Sequence, residues 1–137
     1  MILVDANILM YAAGSDHPNK VACVELLRKV AAGDLEAAID AEVLQEILHR
    51  YRAIGRWEKG REVYDLARRL FTTIIPIDAP ALDRARLLLD RHHELTARDA
   101  LHAAVNQQVG ASQFCSFDRD FDCIRTLNRV EPAALME

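Results

Sequence analysis

Four carboxylates stand where side chains could do chemistry: Asp5, Glu46, Asp99 and Asp118. Asp5 directly follows the apolar run Ile2-Leu3-Val4, and Asp118 follows a second short strand-like run, Gln113 to Ser116. An acid at the carboxyl end of a buried strand sits on the edge where open parallel α/β sheets bind ligands. Asp99 falls in the first turn of a helix, and Glu46 falls inside another. Taken singly, three of the four have a modest structural explanation. Asp99 suits its helix dipole, worth roughly 0.3–1 kcal/mol. Glu46 can pair with Arg50 on the next turn for a few tenths of a kcal/mol. Asp118 can simply begin a turn. Asp5 is harder to explain this way, because it touches two apolar segments and a buried carboxylate needs a partner.

Taken together they imply more. Clustered carboxylates repel, and their pKa values rise unless a cation intervenes. Hard oxygen donors select Mg²⁺ or Mn²⁺ over zinc, and no Cys/His cluster stands at ligand spacing in the sequence to favour zinc. One or two such ions can polarise a phosphate oxygen, activate water and steady a leaving oxygen. Neither a His base nor a nucleophilic Ser is then required. The expected chemistry is phosphodiester hydrolysis.

The elements that must position these acids can be read from periodicity. Pro18 is expected in the first turn of a helix with Asp16 or His17 near its cap. Val21, Val24, Leu27, Val30 and Ala31 are its apolar stripe, and Gly33 ends it. Glu36 to Ile39 is a weak strand. Val43, Leu44, Ile47, Leu48, Tyr51 and Ile54 mark a helix over about 42–54, which Gly55 ends. Trp57 opens another, with Val63, Leu66, Ala67, Leu70 and Phe71 on one face. The β-branched run Thr72 to Ile77 reads as a strand. Asp78 caps the next helix, with Leu82, Ala85, Leu88 and Leu89 inward. Thr96-Ala97-Arg98-Asp99 is a capping box. It opens a helix with Leu101, Ala104 and Val105 inward, closed by Gly110. A last strand is expected near Leu127 to Val130. Strands alternating with helices imply α/β architecture with a parallel sheet and right-handed crossovers.

The chain has 137 residues, 51% of them apolar, which fits one domain with a substantial core. No run approaches a membrane span, the N-terminus lacks a basic leader, and the cysteines, Cys23, Cys115 and Cys123, form no Cys-x-x-Cys pair. A reduced, cytoplasmic protein is expected. The net charge is −4, yet residues 49–69 hold seven cations against three acids, a local +4. Arg50, Arg52, Arg56, Lys59 and Arg61 are the candidates for holding a polyanion, since local fields guide such ligands; a pair of solvated helix faces is the plain alternative. Trp57 and Tyr64 could stack on bases, though a dimer interface is preferred. His102, one turn beyond Asp99, is expected to hydrogen-bond or support structure. His92-His93 is read as a solvated helix end.

Four segments together resemble a known family: VDANILMY at the start, Glu46 within VLQEILHR, ARDALHAA over 97–104, and SFDRDF over 116–121. They look like the motifs of PIN domains, in particular the VapC-type toxins of bacterial toxin–antitoxin pairs, and the likeness spans nearly the whole chain. It implies a single PIN-like domain over 1–137, an α/β/α fold with a five-stranded parallel sheet. It further implies a Mg²⁺- or Mn²⁺-dependent endoribonuclease that cleaves RNA with a metal-activated water. Asp5, Glu46, Asp99 and Asp118 match the family's acidic positions, and Asn7 matches a polar residue supporting the first Asp. Ser116 stands where the family usually has Thr. Asp120 is a second acid in the last loop, and Asp118 is preferred to it. Glu42 occupies a position that is often a small hydroxyl residue. The implied partners are RNA, a cognate VapB-type antitoxin and a second copy of the chain.

Two rival readings remain at this point. An aspartyl phosphatase would also begin with a strand and Asp5, but it would want an acid at Asn7 and a well-placed Lys. A catalytically silent PIN-like module binding RNA or protein would not need all four acids.

Overall fold

The computed structural model describes residues 1–136. Five strands form a parallel sheet: β1 (Ile2–Val4), β2 (Ala37–Asp40), β3 (Ile74–Ile75), β4 (Gln113–Cys115) and β5 (Arg129–Val130). Their order across the sheet is β3-β2-β1-β4-β5. Chain direction across the sheet reverses at β1, where Leu3 pairs with Ala38 on one side and Phe114 on the other. A parallel sheet with this switch opens a crevice beyond the carboxyl ends of its central strands.

Six helices cover the two faces: α1 (Ala6–Ala13), α2 (Lys20–Ala31), α3 (Ala41–Ala53), α4 (Trp57–Leu70), α5 (Ala79–Arg91) and α6 (Ala97–Val109). Side chains alternate across a strand, and the core divides accordingly. Ile2, Val4, Ile39 and Cys115 join the buried faces of α1 to α4. Leu3, Ala38 and Phe114 face the other way, onto α5 and α6. Both faces being buried explains why the strands read as apolar runs without polar alternation.

The expected five-stranded parallel α/β fold is therefore what the chain adopts, with local differences. The apolar run after Asp5 is a helix, entered without an intervening residue, because Asp5 itself caps it. Pro18 lies outside α2, which begins at Lys20 behind Asn19; Pro18 and Asn19 form a turn in which Asn19 N–H donates to the His17 ring. The buried stripe of α2 is Cys23, Leu26 and Leu27, while Val21 and Val24 face solvent. Cys23 counts as a small apolar residue, and this turns the helix by one strip. Leu82 is likewise outward, since Ala81, Ala85 and Leu88 form the contact face of α5. Ile54 also faces solvent, just past the end of α3. Thr72 to Ile77 pairs only at Ile74 and Ile75; it is an edge, Pro76 has no N–H to donate, and the threonines are exposed.

The hairpin of α3 and α4 closes tightly. A β-carbon on Gly60 would lie 2.6 Å from Cβ of Tyr51, so only glycine allows this approach. Among the described residues no helix is long and apolar enough to cross a membrane.

Candidate metal centre

Three strand ends deliver polar side chains to the crevice. Asp5 follows β1, Asp40 ends β2, and Ser116 follows β4. Each chain segment then turns immediately into helix or turn, so these residues also serve as caps. Asp5 Oδ1 accepts from Ala6 N–H at 2.7 Å. Asp40 Oδ1 accepts from Val43 N–H at 3.0 Å, starting α3. Asp118 Oδ1 accepts from Asp120 N–H at 2.9 Å, starting a 3₁₀ turn over Arg119–Cys123. At α6 the capping box forms as expected: Thr96 Oγ1 accepts from Asp99 N–H, and Asp99 Oδ2 accepts from Thr96 N–H.

Ser116 joins the first strand end to the last acidic loop. Its hydroxyl donates to Asp5 Oδ2 at 2.6 Å, and accepts from Asn7 Nδ2 at 3.2 Å and from Asp118 N–H at 3.0 Å. One proton and two lone pairs are thereby all used. The carbonyl of Ser116 accepts from Arg129, which also binds Asp122 and Glu131 and so fixes the loop from below.

The acids gather in two adjoining groups. In one, Asp5, Glu46 and His102 each place a ligand atom within 4.8 Å of the others. In the other, Asp99, Asp118 and Asp120 do the same. Ser116 bridges Asp5 to the backbone of Asp118, and α6 carries both Asp99 and His102 on one face. Glu46 is not paired with Arg50. Its Oε1 faces Arg98 Nε at 3.5 Å and His102 Nε2 at 3.6 Å. Arg98 also reaches Glu42 at 3.4 Å, which accounts for an acid at the entry of α3.

His102 forms the hydrogen bond expected of it, and its partner, Asp40, is the residue that sequence reading does not single out. His102 is wholly buried, with Nδ1 2.6 Å from Asp40 Oδ2 and Nε2 3.9 Å from Asp5 Oδ1. Burial works against a charge on this imidazole. The Asp40 carboxylate and its hydrogen bond, with Glu46 and Asp5 beyond, outweigh it and hold the pKa well above the ordinary histidine value. Asp40 had a signal available: like Asp5 and Asp118 it is an acid at a strand end, three residues before a buried helical position.

Burial pushes the Asp5 carboxyl up to about 6, with Glu46 adding to the rise and His102 and Ser116 opposing it. Asp99 is raised as well, by burial first and by the Asp118 charge, against its bonds to Thr96. Carboxylates whose charge is disfavoured by burial and by a neighbouring acid are relieved by a nearby cation. Asn7 Oδ1 is buried without a hydrogen-bond partner among the described residues. All the donors on offer beside His102 are hard oxygens, so the set fits Mg²⁺ or Mn²⁺.

The basic residues lie further off. Arg50, Arg52, Arg56 and Arg61 are exposed on the α3–α4 hairpin, and Lys59 pairs with Glu62 at 3.8 Å. Arg52 is six residues beyond Glu46, about 9 Å along the helix. The Arg52 guanidinium covers the half-exposed Trp57 ring, 5.5 Å from its centre. Tyr64 packs partly into the core. His92 is not a solvated end: it caps α5 and faces Glu94 and Cys123.

Known proteins resemble this chain over most of its length. The PIN domain profile matches residues 2–126. Over 130 residues, 95% of this chain and 99% of the relative, it is 42% identical to Ribonuclease VapC13 of Mycobacterium tuberculosis. It is 31% identical to Ribonuclease VapC7 of the same organism, covering 98% of this chain and 93% of that one. Among solved structures, VapBC2 from Rickettsia felis, bound to a promoter DNA fragment, superposes with a TM-score of 0.73 at 20% identity, covering 96% of this chain and 98% of that one. FitAcB from Neisseria gonorrhoeae gives 0.73 at 20% identity, over 97% and 99%.

Proposed function

The chain belongs to the PIN domain family, and from that premise we propose that it is a metal-dependent endoribonuclease, the toxin of a type II toxin–antitoxin pair. Relatives covering nearly its full length are named VapC ribonucleases. The observation that carries the reading to this chain's own residues is the convergence of Asp5 and Glu46 beside His102, next to Asp99, Asp118 and Asp120.

Asp5, Glu46, Asp99 and Asp118 would hold Mg²⁺ or Mn²⁺, with Asp120 in support. The ion, once bound, supplies a positive centre that polarises a phosphate oxygen and lowers the pKa of water. Everything else falls to the protein. Ser116 and Asn7 fix the Asp5 carboxylate in one orientation. Asp40 holds the His102 ring, and His102 with Arg98 holds Glu46 toward the crevice. The exposed Arg52, Arg56 and Arg61 would bind phosphates of the strand flanking the cleaved bond.

The partners follow from the same reading: RNA as substrate, a VapB-type antitoxin that presents a cation to the acids, and a second copy of the chain. Residues 1–137 would act as a single domain in the cytoplasm, where such a substrate is found. Incubating the purified protein with RNA tests the function. Cleavage is expected with Mg²⁺ or Mn²⁺, none with excess EDTA, and none from Asp5→Asn. Undiminished cleavage in EDTA would overturn the mechanism, and metal-independent binding without turnover would favour a silent module instead.

A further inference from the structure

At the far end of the 3₁₀ turn that Asp118 begins, near enough for Cys123 to feel the Asp120 charge, His92, Glu94 and Cys123 come together as a group of their own. Each offers one ligand atom, and the three atoms lie within 4.8 Å of one another. Nδ1 of His92 is 4.0 Å from Oε1 of Glu94. Glu94 and Cys123 are far apart in sequence, so no ligand spacing reveals the group. It forms because the bend after α5 packs against the end of the 3₁₀ turn over Arg119–Cys123.

We propose that His92, Glu94 and Cys123 form a second cation site, separate from the acidic centre and suited to a borderline-soft divalent ion of the zinc class. The donor set argues for this. It contains one imidazole nitrogen, one carboxylate oxygen and one thiol sulfur, the three ligand types that zinc accepts, at bond lengths of roughly 2.0–2.3 Å. Ligand atoms around one tetrahedral ion then sit about 3.5 Å apart. The present His92–Glu94 separation of 4.0 Å is close to that spacing, and Glu94 is exposed while His92 and Cys123 are partly buried. Mg²⁺ has no preference for such a set, since thiolate and imidazole are too soft for it. Three protein ligands leave a fourth position for water.

The other cysteines do not compete. Cys23 and Cys115 are fully enclosed in the core, and Cys123 alone has access to solvent. Without an ion the Cys123 thiol is kept protonated by burial and by the neighbouring Glu94 charge; a coordinating thiol is deprotonated, so the ion reverses this local repulsion. The site also has a mechanical consequence. Glu94 stands two residues before Thr96, whose cap sets Asp99, and Cys123 ends the turn that Asp118 begins. An ion there ties together the two segments that carry Asp99 and Asp118.

The test is a Co²⁺ titration of the full chain, reduced and saturated with Mg²⁺, read in the near-ultraviolet. A sulfur-to-cobalt charge-transfer band is expected, complete at one equivalent and removed by Zn²⁺. Only a thiolate ligand gives that band, so cobalt in the acidic centre does not imitate it. Asp5→Asn is expected to keep the band, and Cys123→Ser and His92→Ala to lose it. Zn²⁺ is expected to raise the melting temperature of the starting protein by roughly 5 °C or more, and that of Cys123→Ser not at all; the metal-free melt of each variant shows that it folds. No thiolate band, or a band that survives Cys123→Ser, overturns the proposal and leaves Cys123 as a hydrogen-bond partner of Glu94. Failure here is separate from failure of the nuclease reading, which EDTA and Asp5→Asn decide.

Discussion

Nδ1 of His102 lies 2.6 Å from Oδ2 of Asp40, and both side chains are buried. Asp40 lies outside the segments that carry the family likeness, yet it joins His102 across β2 and α6. His102 then faces Asp5 and Glu46 with its other nitrogen.

Removing Asp40 is therefore expected to cost more than its capping role. Breaking a buried pair leaves an uncompensated charge, at about 3–5 kcal/mol. Asp40→Ala is expected to lose that much in urea denaturation, and cleavage is expected to fall with it as Glu46 and Asp5 lose their support. Asp40→Asn keeps one oxygen to cap α3 at Val43 N–H but removes the charge and the second acceptor beside His102, and is expected to lose most of the same amount. An Asp40→Asn protein as stable as the unsubstituted one would deny the ion pair its role.

Proton binding at Asp5 gives a pH dependence with a definite sign. Its carboxyl is raised from 3.8 to about 6 in the folded chain, so the folded state holds the proton more tightly than the unfolded one. The resulting stability is complete below about pH 4 and is lost as pH rises through 6. Two pH units correspond to about 3 kcal/mol. In EDTA, urea denaturation is expected to show the unsubstituted protein losing about that much relative to Asp5→Asn between pH 4 and 7. His102, also raised, acts with the same sign at higher pH. Bound Mg²⁺ or Mn²⁺ takes the proton's place and is expected to remove the difference.

The two acids of the last loop can be separated. Asp118 is half-buried, and its neighbour Asp120 is exposed; Asp118 also stands beside Asp99 strongly enough to raise its pKa. Asp118→Asn is expected to reduce cleavage by roughly 100-fold or more at fixed Mg²⁺, and Asp120→Asn by less than tenfold. The ratio of initial rates on one RNA decides it, and the reverse ranking would transfer the role to Asp120.

Gly60 offers a prediction that does not involve the site. A methyl group there meets the stem of Tyr51 at 2.6 Å, which cannot swing away without moving α3. Gly60→Ala is expected to destabilise by about 1–3 kcal/mol through overpacking, despite alanine's higher helix propensity. Thermal unfolding measures the sign; a stabilised variant would mean that the hairpin opens easily.

How far the sequence could be read follows from which interactions are local. Capping at Asp78 and Thr96, the stops at Gly55 and Gly110, and the apolar strands depend on neighbours in the chain, and they appear where expected. The phase of α2 was missed because two valines outweigh one cysteine by hydropathy, while packing placed Cys23 inward. The acidic positions could be singled out because three of them stand at strand or helix ends. What could not be read was every relation across the fold: Arg98 displacing Arg50 as the partner of Glu46, Asp40 meeting His102, and Cys123 meeting Glu94. Such pairs depend on which elements touch, and residue spacing does not encode that.

The double duty of the carboxylates limits how this protein can decay. Asp5 gives one oxygen to the start of α1 and the other to the Ser116 hydroxyl, and Asp118 likewise anchors its own loop. A mutation that silences the enzyme by deleting either side chain also frays the scaffold, whereas an amide of the same shape can keep the anchor. Lineages in which the nuclease has fallen silent but the fold survives should thus carry asparagine at these places far more often than alanine. A count of the two among inactive descendants would put that expectation to the test.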